Sequence, residues 1–253
     1  MTPPARQPLH LPPGVPLPFS GEEAVRRLVH LCMVGPQSRV LLLGLGNGAV
    51  DAAVWLARNV DPELVLADRD DARVAEARAR LEREGLAQRA WFQRVDPHAL
   101  PWGEGEFSSI WVDPKTFGEL EPAVRGLRPH LVLKGRLCLQ WPVRVSRQGG
   151  TPLERTWEAR TGGPLLTPRE ILQGLAEAGY EPQTAECLSD AELEALYGRL
   201  ESEAASGRAP PPPGFADELV QFRAQGGRSA VSFVLAVARR KEPGEKPPPS
   251  RSE

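Results

Sequence analysis

The chain has little of what marks membrane, secreted and metal-binding proteins. It contains three cysteines and four histidines in 253 residues. Cys32, Cys138 and Cys187 are odd in number and far apart, which argues against a disulfide framework and a CxxC metal site. No apolar run approaches the roughly 18 residues of a membrane span, and the N-terminus lacks the apolar core of a signal peptide. We therefore expect a cytoplasmic protein without a bound metal.

The sequence also has little net charge, because 31 Lys and Arg residues against 33 Asp and Glu residues leave −2. Binding to nucleic acid or to an anionic membrane rests on an excess of basic residues, so neither partner is expected. The charges are nevertheless uneven, with nine basic against two acidic residues in 123–169, and one against seven in 181–206. The basic segment could attract an anionic acceptor, but we favour the interpretation that the two segments are solvated or face each other.

Proline marks both ends of the chain. Residues 1–19 and 241–253 are rich in proline and have no periodic apolar face, which predicts an extended arm and a disordered tail. The domain is expected to span 20–240. Within it, 188–228 reads as a helical insertion, a candidate lid or a docking surface for a protein partner.

Between these ends, apolar strands alternate with amphipathic helices. The expected strands are 40–43, 64–67, 91–95, 107–112, 136–141, 181–187 and 231–237. One expected helix begins at Ser20, and the others cover 49–59, 71–84, 118–127, 168–178, 189–205 and 215–225. A long loop is expected over 142–166. This alternation predicts an α/β fold with a doubly wound, mostly parallel sheet and helices on both faces. Ligands of such sheets bind beyond the carboxyl ends of the strands.

A glycine-rich loop, residues 44–48, joins the first of these strands to the next helix. Its glycines allow a sharp turn and let a ligand approach without a Cβ in the way. The second strand ends at Asp68, and an acid at that place can accept hydrogen bonds from both ribose hydroxyls. The arrangement predicts a nucleotide site. Gly44-x-Gly46-x-x-Ala49 also fits the dinucleotide fingerprint, so these residues alone leave NAD(P) open.

Four segments resemble the class I S-adenosylmethionine-dependent methyltransferases. VLLLGLGNG is similar to their first motif, and LVLAD to their second strand with its ribose-binding acid. VDPHALPWGEGEF is similar to the segment whose aspartate contacts the adenine amino group, and LVLKGRLCLQ to their fifth strand. The resemblance implies a seven-stranded sheet with an antiparallel last strand, S-adenosyl-L-methionine as cofactor, and methyl transfer to a small molecule or a protein side chain. The cofactor-binding residues that it implies are Gly44, Leu45, Gly46, Gly48, Asp68, Arg69, Asp96 and Pro97.

Asp113 is the residue that the resemblance offers for orienting the methyl acceptor. The segment DPKTF that begins there is similar to the Asp/Asn-Pro-Pro-aromatic motif of amino methyltransferases, with Lys115 in place of the second proline. A strand-ending turn is the alternative interpretation, and the one we favour. His98 is either a base or a solvated loop residue. Three tryptophans are candidates to line a pocket: Trp102, Trp111 and Trp141. For Trp111 and Trp141 we favour packing against the sheet.

Two other functions stay open. An NAD(P)-dependent oxidoreductase would fit the glycine loop, but neither Tyr180 nor Tyr197 is followed four residues later by a catalytic lysine. A non-catalytic, methyltransferase-like interaction protein would fit two departures from the family pattern. Leu42 and Ser108 stand where many members carry an acid.

Overall fold

The structure is a computed structural model that describes residues 22–113, 120–147, 149–161, 163–206, 214–224, 229–242 and 244. The expected arm 1–19, the capping residue Ser20 and all but three residues of the tail 241–253 lie outside these ranges. So do the proline spacer 210–213 and residues 114–117 of the turn that follows Asp113.

A single sheet of seven strands forms the centre of the described chain. The strands are β1 Arg39–Leu43, β2 Glu63–Asp68, β3 Ala90–Arg94, β4 Phe107–Val112, β5 Leu131–Arg144, β6 Tyr180–Cys187 and β7 Val231–Arg240. Their order across the sheet is β3-β2-β1-β4-β5-β7-β6. The first five strands pair in parallel, and β7 runs antiparallel to both of its neighbours. The expected mostly parallel sheet with an antiparallel last strand is confirmed.

The described residues form eight α-helices. They are α1 Glu22–Leu31, α2 Asn47–Asn59, α3 Asp71–Arg83, α4 Leu120–Leu127, α5 Pro152–Thr161, α6 Pro168–Glu177, α7 Asp190–Ala205 and α8 Phe215–Arg223. A capping box opens α6. The Thr167 side chain accepts from the Glu170 backbone N–H at 3.2 Å, and Glu170 accepts from the Thr167 N–H at 2.6 Å. None of these helices is long and apolar enough to cross a bilayer.

The central strands are buried on both faces, which explains their continuous apolar sequence. Leu41 and Leu43 enter a core formed with α4 and α6. Val40 and Leu42 enter a second core, which α1, α2 and α3 cover on the opposite face. A third apolar cluster joins α5, α7 and α8 to the beginning of β7. The sheet is therefore covered by helices on both faces.

Two expectations between residues 131 and 166 were wrong. The segment 142–166 contains the end of β5 and the helix α5 rather than one long loop. Helix α5 has only Leu153 and Trp157 as buried apolar residues, and their packing in the third cluster stabilises it. Strand β5 begins five residues earlier than expected. Its first part is irregular, since Lys134 has φ 63°, and the prediction covered only the regular part that follows.

Candidate functional site

The glycine loop needs two of its glycines for different reasons. Gly44 has φ 90°, a left-handed conformation that favours glycine, and its N–H donates to the Ala67 carbonyl at 2.9 Å. Gly46 precedes α2 with φ −66°, which any residue can adopt. A Cβ at Gly46 would lie 2.7 Å from Asp113 Oδ2. Gly44 is therefore required by backbone conformation, and Gly46 by space.

Asp68 holds this loop in place. It is 2% exposed at the end of β2. Its Oδ2 accepts from the Leu45 N–H at 2.7 Å, and its Oδ1 accepts from the Asp70 N–H at 2.9 Å. The Arg73 guanidinium lies 3.8 Å from the same carboxylate. An ionised carboxylate has about four lone-pair sites, so these two N–H bonds leave acceptor capacity for a ligand.

An open groove lies next to this loop, where β2 and β3 end. Its lining residues are Arg69, Asp70, Asp71, Arg94, Val95, Asp96, Pro97 and His98. Three residues of the implied cofactor-binding set are thus brought together in one groove: Arg69, Asp96 and Pro97. The Asp96 carboxylate is exposed and accepts from the His98 N–H at 2.9 Å, which fixes the turn. The remaining residues of the set are in the glycine loop and at Asp68, at the neighbouring strand ends.

Asp113 directly follows β4 and continues its pairing with β1, because its N–H donates to the Leu43 carbonyl at 2.9 Å. It is 2% exposed, and its carboxylate packs against Gly46. The implied acceptor-orienting residue is therefore adjacent to the glycine loop. His98 is exposed and lies in the groove with Asp96.

The tryptophans pack the fold. Trp111 is 1% exposed and donates to Ser109 Oγ at 2.9 Å, and Trp141 is buried in the core below α4 and α6. Trp102 makes an edge contact with Phe107 at 5.2 Å between ring centroids. The pocket-lining alternative for these three side chains is not favoured by this packing.

Three ion pairs of the acidic segment 181–206 have partners outside the basic segment 123–169. Among the described residues, Glu186 pairs with Arg27, Glu201 with Arg223 and Glu181 with Arg239.

The sequence reasoning missed one polar residue near the site. Gln140 is 0% exposed on β5, and neither polar atom of its amide has a hydrogen-bond partner among the described residues. The only signal was a glutamine inside the apolar run LCLQW. Its position depends on strand register, which the sequence did not provide.

Comparisons with known proteins agree with this architecture. No protein-family model matches the chain. One curated relative, the methyltransferase GfsG of Streptomyces halstedii, is 32% identical over 96 residues, which are 38% of this chain. That match spans only about a third (34%) of the relative's length.

Solved structures match over most of the chain. A putative sarcosine dimethylglycine methyltransferase from Galdieria sulphuraria has a TM-score of 0.70 at 15% identity, with 87% of this chain and 84% of that chain covered. A geranyl diphosphate methyltransferase in complex with S-adenosylmethionine has a TM-score of 0.68 at 17% identity, with 86% and 84% covered. The [4+2]-cyclase SpnF has a TM-score of 0.64 at 18% identity, with 87% and 81% covered.

These likenesses establish the fold. The chain has the seven-stranded fold of the class I S-adenosylmethionine-dependent methyltransferases, as the sequence resemblance implied. Because one of the similar structures is described as a cyclase, the fold by itself does not specify the reaction.

Proposed function

We propose that the chain is an S-adenosylmethionine-dependent methyltransferase acting on a small-molecule acceptor. One observation carries the proposal. The glycine loop, Asp68, the groove with Asp96, and Asp113 occupy the carboxyl ends of four neighbouring strands, β1 to β4, in the order that the sheet dictates. An elongated nucleoside with a reactive tail fits such a row of polar groups, since ligands of doubly wound sheets bind at these strand ends.

The residues would divide the cofactor between them. Asp68 has acceptor capacity left for the ribose hydroxyls, next to the exposed Arg69. Asp96 presents an exposed carboxylate that can accept from the adenine amino group. The close packing of Gly46 on Asp113 brings the loop near the end of β4. These features fit the bound nucleoside, and we assign the cofactor site to them.

The cofactor supplies an electrophilic methyl group when it is bound, so the protein's task is to orient the acceptor and exclude water. We assign the orientation to Asp113. Its carboxylate would hold the N–H or O–H of the reacting atom. On methyl transfer from the bound cofactor, the N–H or O–H proton of the acceptor would pass to the Asp113 carboxylate.

The test is a binding cycle on Asp96. Calorimetric titration of wild type should give tighter binding of S-adenosylhomocysteine than of NADH. Asp96→Asn should weaken the binding of S-adenosylhomocysteine by roughly 10- to 100-fold, because a hydrogen bond to a charged group contributes about 1.5–3 kcal/mol. The inosine analogue, which lacks the adenine amino group, should bind to wild type more weakly than S-adenosylhomocysteine by a similar factor. The two changes together should be less than additive, since they remove the same contact.

Asp51→Asn is the matched control, because Asp51 is exposed on α2 and outside the groove. It should leave both affinities unchanged. Tighter binding of NADH than of S-adenosylhomocysteine would contradict the proposal and favour the oxidoreductase. Independent losses in the Asp96 cycle would also contradict it, because Asp96 would then not contact the adenine amino group.

A further inference from the structure

Gln140 is level with Asp113 in the sheet. Val112 pairs with Leu139 on the parallel neighbour β5, so the next residues of the two strands, Asp113 and Gln140, are adjacent in register. Strand β4 lies between β1 and β5. Gln140 therefore lies on the opposite side of Asp113 from the glycine loop and from the assigned nucleoside site.

The two side chains face the same layer of helices. Trp111 and Cys138, two residues earlier on β4 and β5, both belong to the core beneath α1 and α2. Side chains two residues apart on a strand share a face. Gln140 and Asp113 accordingly point towards α1 and α2, in agreement with the contact between the Asp113 carboxylate and Gly46, the residue before α2.

The Gln140 amide is buried without any hydrogen bond. The residue is 0% exposed, and both Oε1 and Nε2 are without a partner among the described residues. Its cross-strand neighbour is Leu235, whose side chain offers no polar atom. Buried amides are nearly always paired, and an unpaired one costs free energy that a leucine at the same place would not. Such a group needs a partner that the described residues do not supply.

We propose that the Gln140 amide binds the methyl acceptor, and that the reacting atom of this acceptor is a nitrogen or oxygen carrying hydrogen. The inference rests on the proposed methyltransferase function. Asp113 and the amide oxygen of Gln140 form two adjacent hydrogen-bond acceptors, which suit an amine or a hydroxyl. A hydrocarbon chain would leave the amide as unpaired as it is in the ligand-free chain.

Access to the amide requires a local movement, because Gln140 is 0% exposed. Cys138, two residues earlier on β5, shares a core with Cys32, which directly follows α1. The end of α1 is therefore among the elements that cover this face of β5.

The experiment compares two cofactor analogues on Gln140→Leu. S-adenosylhomocysteine has no group at the transfer position, whereas sinefungin carries an amine in place of the transferable methyl group. Gln140→Leu should bind S-adenosylhomocysteine as wild type does but lose roughly tenfold in sinefungin affinity, the equivalent of one hydrogen bond. Gln140→Met, which preserves the unbranched shape, should give the same result if the leucine variant folds poorly.

The control is Gln93→Leu, an exposed glutamine on β3 of the same sheet. It should leave both affinities unchanged. Ligand-free Gln140→Leu should melt at or above the wild-type temperature, because the amide makes no hydrogen bond to any described residue.

The outcomes separate the two proposals. If wild type does not bind S-adenosylhomocysteine, the methyltransferase function fails and the inference falls with it. If S-adenosylhomocysteine binds but sinefungin is unaffected by both Gln140 variants, only the inference fails. It also fails if both variants melt several degrees below wild type, or if wild type binds geranyl diphosphate and Gln140→Leu binds it more tightly.

Discussion

Gly46→Ala probes the packing between the glycine loop and Asp113 without straining the backbone. Gly46 has φ −66° and ψ 166°, a region open to every residue. The obstacle is the Asp113 carboxylate, because Oδ2 would lie 2.7 Å from the new Cβ, whereas ordinary van der Waals contacts begin at 3.4 Å. Asp113 is 2% exposed, so its side chain has little room to move away.

The expected magnitude follows from two opposing effects. Overpacking a buried site costs about 1–3 kcal/mol. Replacing glycine by alanine also reduces the entropy of the unfolded chain, which stabilises by about 0.4–1 kcal/mol. The net loss should be about 1–2 kcal/mol, or a fall of roughly 2–8 °C in Tm for a domain of this size. Gly35→Ala is the matched control, since no atom lies within 4 Å of its Cβ position and its φ is not positive. It should leave Tm unchanged or raise it.

Thermal unfolding of a double-mutant cycle identifies the obstacle. Asp113→Ala removes the carboxylate, so Gly46→Ala should become neutral or stabilising in that background. The coupling energy should be about 1–2 kcal/mol, within the range for residues in contact. An equal loss of Tm in both backgrounds would refute the reasoning, because the alanine would then be meeting something other than Asp113.

Two further predictions concern other carboxylates. Asp68→Asn should lower the stability by about 2–3 kcal/mol and weaken the binding of S-adenosylhomocysteine, because one of the two backbone N–H groups that donate to Asp68 loses its partner. Thermal unfolding and calorimetry measure the two effects, and Asp70→Asn should preserve the stability, since asparagine also caps helices well. The Gly103 N–H and the Arg39 guanidinium hold the pKa of Glu106 below its usual value. The stability that Glu106 contributes is therefore present above the unfolded-state pKa of about 4.3 and is lost as the pH falls through the lower folded pKa. The Tm difference between wild type and Glu106→Gln should be clear at pH 7 and shrink as the pH falls through the folded pKa, and a difference independent of pH would contradict this.

The elements that could be predicted were those whose sequence pattern matches their burial. The run Val40–Leu43 is apolar throughout because both faces of β1 are covered, and it was identified as a buried strand. Helix α5 has two buried apolar residues in ten, so no helical stripe marks it and its stability comes from packing on α7 and α8. The beginning of β5 was missed because a positive φ at Lys134 interrupts the alternation.

The site was predictable to the same limited degree. Glycines at 44 and 46 and an acid at 68 have a recognisable spacing, so the loop and its acid could be located. The bonds from Asp68 to Leu45 and Asp70 depend on how the loop folds over the strand end, which no spacing encodes. The unpaired amide of Gln140 depends on the register of β4 and β5 and on burial, and neither is visible in a sequence.

Asp68 and Asp113 link the fold of the site to its chemistry. Each carboxylate contacts the glycine loop, Asp68 through the Leu45 N–H and Asp113 through its packing on Gly46. A substitution at either position therefore changes the loop as well as any contact to a ligand. Loss of activity in such a variant is consistent with a catalytic role and equally with a displaced loop. Ratios between ligands that share the nucleoside cancel the effect on the loop, because both ligands experience it alike. The ratio of sinefungin to S-adenosylhomocysteine affinity is such a quantity, and for Asp113 it separates the contact to the transferred group from the support of the cofactor site.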